Sequence, residues 1–287
     1  MHELYSQYKG LLFTLAYQLT GSTSDAEDAV QDVFLKLHNV KQERLIEPKA
    51  YLCKMVTNHC LDLLKSARKK RELYFGQWLP EPIPTSFDES FELVARGELL
   101  SYAMLVLLER LSPIERAVFV LREALSFEYA VISELVDRSE GNCRKIISRA
   151  RGKLGGDIKE PIRAQTDNEE WIRQFLAALE QGHIDNVVSM LSEDVTLVSD
   201  GGGKAPAALH PIESSDRVAR LLLGLIRKAP TYAGGVKIEI SNINGQVGLA
   251  IRSKKGVIGV MLMYIKSNEA HNLYFVWNPD KLRLLSK

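Results

Sequence analysis

Residues 78–84 read Trp-Leu-Pro-Glu-Pro-Ile-Pro, which places Pro80, Pro82 and Pro84 within five positions. Proline fixes φ, has no amide N–H to donate and drives the residue before it out of the helical region. No helix or central strand can run through such a stretch, so the chain must divide here. The segment reads as an extended linker over residues 74–95. With 287 residues, 46% of them hydrophobic, there is enough apolar material for packed cores on both sides, which excludes wholesale disorder.

Hydrophobic spacing on both sides of the linker is helical. Ala26, Ala29, Val30, Val33, Phe34 and Leu37 recur at the three- and four-residue intervals of one helix face. Ser24 and Glu27 read as a capping box at its start. Asp25, Glu27, Asp28 and Asp32 crowd the first turns, where the helix dipole favours acid. A second helix after Pro48 carries Tyr51, Leu52, Met55, Val56, Leu61 and Leu64 into the basic run Lys65, Arg68, Lys69, Lys70, Arg71. Beyond the linker, helical pattern resumes near Phe91. Ser112-Pro113-Ile114-Glu115 then combines an N-cap, a proline at the first helical position and a capping glutamate. A helix over residues 127–136, the turn Asp137-Arg138-Ser139 and a helix to Leu154 make a helix-turn-helix.

A formal net charge of +1, from 37 basic and 36 acidic residues, conceals this block arrangement. In a helix-turn-helix the second helix enters the major groove with its N-terminal residues at base edges. Here those are Ser139, Glu140, Asn142, Arg144 and Lys145. Arginine can grip guanine and asparagine adenine through two bonds each. Arg149, Arg151 and Lys153, further along, suit phosphates, which set affinity rather than sequence. Taken alone, the same face also fits the solvated side of an ordinary helical hairpin.

The segments Leu111-Ser-Pro-Ile-Glu-Arg-Ala-Val-Phe-Val-Leu-Arg-Glu, Phe127-Glu-Tyr-Ala-Val-Ile-Ser-Glu-Leu and Asn142-Cys-Arg-Lys-Ile-Ile-Ser-Arg-Ala-Arg resemble region 4 of sigma-70 family factors, in the small extracytoplasmic-function class. Asp25-Ala-Glu-Asp-Ala-Val-Gln-Asp-Val-Phe and Pro48-Lys-Ala-Tyr-Leu-Cys-Lys-Met-Val-Thr-Asn resemble region 2 of the same class. The resemblance implies an alternative sigma factor with two partners, promoter DNA and core RNA polymerase, the latter met through its β′ clamp helices and β flap. Asp28, Gln31 and Asp32 would then face polymerase, where charge complementarity steers docking. Asn58 would hold a flipped base of the −10 element, with Lys65, Arg68, Lys69 and Arg71 on its phosphates. The recognition helix, Ser139 to Arg151, would read the −35 element. Tyr51 stands where this class commonly has Trp, and Gly141 sits where a stronger helix former is usual.

After Gly155-Gly156 the pattern changes. Trp171 to Leu191 reads as one amphipathic helix, Gly201-Gly202-Gly203 as a turn, and Ser215 to Lys228 as a helix. Strand-like alternation follows over residues 236–243, 246–252, 257–265 and 272–277, with turns at Asn244-Gly245 and Lys254-Lys255-Gly256. The expected result is an α+β domain on an antiparallel sheet. It resembles SnoaL-like domains, cones of the nuclear-transport-factor-2-like fold. Three motifs are similar to those of a sigma-factor subgroup with this domain fused. They are Trp78-Leu79-Pro80-Glu81-Pro82, Asp200-Gly201-Gly202-Gly203-Lys204 and Asn278-Pro279-Asp280-Lys281-Leu282. The subgroup resemblance implies control from within. Its physical form would be a Gly-rich loop and the 278–282 turn holding the pre-extended linker and contacting region 2.

The expected fold is therefore multidomain: two all-α helical domains, then an α+β cone. Region 2 falls at residues 1–73, the linker at 74–95, region 4 at 96–158 and the regulatory domain at 165–287. Two other readings stay open. The cone's relatives include cyclases, isomerases and hydrolases, for which His183, Asp185, Asp194, Asp200 and His210 are the acid/base candidates, although no motif sets a base against a nucleophile. Its pocket could instead take a small effector without reaction. The chain could also be a one-component helix-turn-helix regulator, but region 2 has no place in one. Cys53, Cys60 and Cys143 suit neither a disulfide framework nor a zinc knuckle, and no cofactor or metal is implied. Residues 1–10 lack a secretory series and no apolar run spans a membrane, so a cytoplasmic protein is expected; when free of polymerase it is expected to be a monomer.

Overall fold

The computed structural model describes residues 2–37, 47–85, 100–155, 168–229 and 235–286, and the expected helical restart near Phe91 lies outside them. The chain divides into two compact units. One holds residues 1–72 and 86–164, the other residues 73–85 and 165–287.

The first unit is helical. α1 (His2–Thr20) buries Leu12, Leu15, Ala16 and Leu19 completely. α2 (Thr23–Leu37) buries Ala26, Ala29, Val30, Val33 and Leu37, the stripe that periodicity anticipates. Its cap differs from expectation. Ser22 Oγ, rather than Ser24, accepts the Asp25 N–H at 3.3 Å, because the helix already begins at Thr23. α3 (Pro48–Glu72) buries Leu52, Cys53, Val56, Cys60 and Leu64 against them.

The second helical block of this unit begins with α4 (Tyr102–Leu107), where Ser101 Oγ accepts the Met104 N–H. α5 (Pro113–Phe119) carries the expected Ser112–Glu115 capping box and runs on into a π-helical turn at Val120–Ala124. α6 (Tyr129–Leu135) starts two residues later than the sequence suggests. The turn to α7 (Glu140–Leu154) has Asp137 at φ 50°. Arg116, buried on α5, donates from Nε to the Gln18 carbonyl near the end of α1 at 3.1 Å and pairs with Glu109. A cation at a helix C-terminus is favoured by the dipole, so this one side chain ties the two helical blocks of the unit together.

The second unit is built on a six-stranded sheet in the order β2-β1-β6-β5-β4-β3. α8 (Glu169–Gln181) ends at Gly182 in the left-handed region, and the short α9 (Ile184–Val188) follows. The single helix expected to run to Leu191 is therefore broken. Leu191–Asp200 is the strand β1, which the sequence pattern does not reveal. β1 pairs with β2 (Ile212–Glu213) antiparallel but with β6 (Glu269–Val276) in parallel, so the sheet is mixed and not purely antiparallel. α10 (Ser215–Lys228) crosses between β2 and β3 (Lys237–Ile243). β4 (Gln246–Ser253) and β5 (Gly256–Lys266) complete the meander. Asn244-Gly245 makes the expected tight turn. Ser267-Asn268, both at positive φ, makes a second one, so β6 begins before Asn272. Trp171, Phe175 and Leu179 of α8 and Val218, Leu222 and Leu223 of α10 pack with Leu197, Met261, Leu273 and Phe275 of the sheet. This layering of helices on a sheet is the α+β architecture expected of the cone.

Candidate functional site

On α2 the exposed face carries Asp28 and Gln31, with Asp32 half-buried at its margin. His59 Nδ1 of α3 lies 3.7 Å from Asp32 Oδ2. Leu35, which its sequence context does not single out, is 69% exposed. It lies four residues beyond Gln31 and seven beyond Asp28, so helix geometry sets it in the same row. On α3, Tyr51, Asn58 and Lys65 are exposed at seven-residue intervals, one stripe along the helix. Lys65 Nζ donates to Asp62 at 2.8 Å, which holds the Asp62 carboxyl below its usual range. Arg68, Lys69 and Arg71 continue α3, but their side chains lie outside the described residues.

The helix α7 exposes Glu140, Asn142, Arg144, Lys145, Arg149 and Arg151. Ser139 is spent as its cap, accepting the Asn142 N–H at 3.3 Å. The basic residues divide into two rows. Arg144 bonds Glu140 at 3.3 Å and covers the Tyr129 ring at 4.2 Å. Arg151, on the same row, bonds Glu123 at 2.6 Å. Asn142, Lys145 and Arg149 form the other row, at helical spacing of three and four. The helix-turn-helix is braced from beneath by Lys153, which donates to Glu115 at 2.7 and 2.8 Å. Burial alone would raise the Glu115 carboxyl, but Lys153 and the Ser112 N–H and hydroxyl outweigh it and hold it low.

The second unit brings the three remaining motifs together around one buried carboxylate. Asp200, at the end of β1, has no exposed surface. Its Oδ2 accepts the Leu79 N–H at 2.9 Å and the Lys281 ammonium at 2.7 Å. Its Oδ1 accepts the Tyr74 hydroxyl at 2.7 Å. Lys281 also donates to the Leu79 carbonyl and sits 4.1 Å above the Trp78 ring. Asn278 Nδ2 donates to Tyr74 Oη at 2.8 Å, and burial followed by the Asp200 carboxylate pushes the Tyr74 hydroxyl up. Leu79, Pro80 and Pro82 are buried, with Trp78 and Glu81 half-buried. Further along the linker, Ile83 exchanges two hydrogen bonds with Asn244, at 3.0 and 2.7 Å. Pro84 then bridges Ile243 antiparallel, so the linker extends the sheet edge at β3.

The Gly-rich loop closes this anchor. Gly202 has φ +57°, and a Cβ there would stand 2.2 Å from Asn278 Nδ2 and 2.8 Å from the Tyr74 hydroxyl oxygen. Only glycine fits that approach. Gly201 is buried, Gly203 exposed and against Phe75. Lys204 is exposed and pairs with Asp280, whose carboxyl it holds low. Pro279 is exposed and Leu282 buried. Tyr74 and Asn244 were not anticipated as site residues. Their signal was faint, an aromatic at the start of the linker and an asparagine assigned to a hairpin.

The acid/base candidates do not converge. Asp200 is committed to the linker. Asp194 lies within β1, bonded to Ser192 and 3.8 Å from His271. His183 precedes α9 and Asp185 lies in its first turn. A cavity of about 60 Å³ between α8, α10 and the sheet is lined by none of them. Among the described residues, no group of three or more His, Cys, Asp or Glu side chains could hold a metal, and no helix is long and apolar enough to cross a membrane.

Two family models match the chain: Sigma-70 region 2 over residues 4–70 and Sigma-70, region 4 over residues 101–154. Both regions in one chain define a transcription-initiation factor. ECF RNA polymerase sigma factor SigJ of Mycobacterium tuberculosis is 34% identical over 284 residues, covering 94% of this chain and 89% of the relative. ECF RNA polymerase sigma factor SigG of the same organism is 26% identical over 281 residues, covering 87% and 72%. The crystal structure of Mycobacterium tuberculosis extracytoplasmic function sigma factor SigJ matches with a TM-score of 0.79 at 29% identity, over 99% of this chain and 98% of that one. The chain belongs to the extracytoplasmic-function RNA polymerase sigma factors of the sigma-70 family. It is an alternative sigma factor that binds core RNA polymerase and promoter DNA.

Proposed function

We propose that this sigma factor is controlled from within, by its SnoaL-like domain holding the linker between region 2 and region 4. The observation that carries the reading is the grip of Asp200 and Lys281 on both backbone groups of Leu79. A linker so held has fewer end-to-end distances available to it. Docking on core polymerase demands one particular spacing of the two DNA-binding domains, so the held and released states differ in activity.

The domains divide at residues 1–73, 74–95, 96–158 and 165–287. Asp28, Gln31 and Asp32 meet the β′ clamp helices, and region 4 meets the β flap. Asn58 takes a base of the −10 element, with Lys65, Arg68, Lys69 and Arg71 on its phosphates. Ser139, Glu140, Asn142, Arg144, Lys145, Arg149 and Arg151 serve the −35 element. Trp78 to Pro82, Asp200 to Lys204 and Asn278 to Leu282 form the regulatory contact. The factor acts as a cytoplasmic monomer until polymerase arrives, and it is a regulator rather than an enzyme.

In vitro transcription with core polymerase tests this, comparing the full chain with Lys281→Ala, Lys204→Glu and a version ending near Ala164. Transcription per mole of sigma should change in Lys281→Ala and in the truncated form. Equal output from all four would sink the proposal. An effector in the C-terminal cavity is a second reading, favoured by the apolar lining of that cavity.

A further inference from the structure

We infer that the C-terminal cavity binds the apolar end of a small molecule, a short alkyl chain, and that its occupancy tightens the linker anchor. The cavity, of about 60 Å³, has a mostly apolar wall, including Leu176 on α8, Leu222 and Ile226 on α10, Met261 on β5, Phe275 on β6 and Trp277. Leu222, Met261 and Phe275 are buried and form its floor. Leu176, Ile226 and Trp277 keep exposed surface, so the cavity reaches solvent on their side. A polar group drawn inside would lose its water and find no partner. The part of a ligand that enters must therefore be hydrocarbon, with any polar group left at the mouth.

Trp277 links this cavity to the anchor. Its ring stacks on Phe275 at 4.7 Å and 7°. It also packs against Gly259, where a Cβ would meet it at 2.5 Å, so Phe275 and Gly259 both constrain its orientation. Its backbone N–H donates to the Asp200 carbonyl at 2.7 Å, and the next residue, Asn278, does the same at 3.0 Å. The residue whose carboxylate grips Leu79 thus also pins the cavity wall. Opening the 278–282 turn to release the linker would free Trp277 and open that wall. An apolar occupant that binds only the closed wall shifts the equilibrium toward the anchored linker. The regulatory meaning rests on the linker control proposed above, whereas the binding itself does not.

The test is a series of n-alkanols, methanol to octanol, titrated calorimetrically into the full-length protein, with amide exchange followed at Leu79. Each added methylene should tighten binding about fourfold until the cavity is filled, after which affinity levels off. Leu225→Trp, which fills the cavity, and Ala229→Phe, which narrows its lining, should each abolish the length dependence while the unfolding temperature is retained. Octanol should slow exchange at Leu79 in the parent. In Lys281→Ala, octanol should bind but leave Leu79 exchange fast. Binding that is absent, or indifferent to chain length, overturns the site. Length-dependent binding with Leu79 exchange unmoved overturns the coupling. Fast exchange at Leu79 in the unliganded parent would instead fault the anchor, and the alkanol series would still judge the cavity.

Discussion

The Lys281 ammonium lies 2.7 Å from the Asp200 carboxylate, and the same nitrogen donates to the Leu79 carbonyl, 202 positions earlier in the chain. Both charged side chains are buried, at 7% and 0% exposure. Taking two charges from water is costly, and the pair is sustained here by Leu79, Tyr74 and the Trp78 ring filling the remaining valences.

Lys281→Ala should destabilise the C-terminal unit by about 3–5 kcal/mol, because the Asp200 charge is left buried without its cation. Combining Lys281→Met with Asp200→Asn should recover most of that loss, since no unpaired charge remains. Thermal unfolding followed by circular dichroism checks both. A single-variant cost of about 1 kcal/mol or less, the size of a surface pair, would count against the anchor.

Gly202→Ala forces a side chain into Asn278 and Tyr74 at a positive φ. A strained left-handed residue costs on the order of 1–3 kcal/mol, and here the clash adds to it. The linker should loosen, and the emission attributable to Trp78, obtained by difference from Trp78→Phe, should shift to the red. An unshifted spectrum would mean that the loop does not hold the linker.

Glu115 makes the helical unit sensitive to acid. Its folded pKa is held below the ordinary 4.5, chiefly against the opposing effect of burial, by Lys153 and Ser112. A depressed carboxylate contributes its full stability above the unfolded value and loses it as pH falls through the folded one. Glu115→Gln should therefore lower the urea midpoint at neutral pH, and the gap from the parent should close below pH 4.5. A gap independent of pH would assign the effect to packing.

Gly141 lies in the first turn of α7, and a Cβ placed on it would have no neighbour within 4 Å. Replacement by alanine should raise the stability of the unit by about 0.5–1 kcal/mol through reduced backbone entropy in the unfolded chain. Urea denaturation reads this directly, and a loss of stability would contradict the helical geometry of that turn.

The two ends of the row Asn142, Lys145 and Arg149 on α7 should separate in their salt dependence. With holoenzyme on a −35 duplex, Arg149→Ala should weaken binding to all sequences and reduce the salt slope by about one. Asn142→Ala should leave the slope alone and cost about 1–3 kcal/mol at one base position. Equal salt slopes for both variants would remove the distinction between phosphate and base contacts.

Much of the first unit was legible in the sequence because its determinants are local. Pro80, Pro82 and Pro84 exclude a helix through the linker, the Ser112–Glu115 box and the apolar intervals of α2 are short-range, and the helix-turn-helix needs only the spacing around Asp137 to Ser139. β1 was not legible. Leu191 to Asp200 follows a helix-breaking Gly182 and a single short helical turn, and its burial alternates only in part, because one neighbour is β2 and the other is β6 in parallel.

The subgroup resemblance marked residues 200–204 and 278–282 as the segments that meet the linker, but it could not rank the two lysines. Lys204 and Lys281 carry the same charge in motifs of equal prominence. Tertiary packing puts Lys204 on the surface with Asp280 and Lys281 inside with Asp200. A buried cation must be matched at every donor or it is expelled, whereas an exposed one is satisfied by water. Resemblance thus indicated which segments could meet. Burial, which depends on residues far apart in the chain, decided which of them holds the linker.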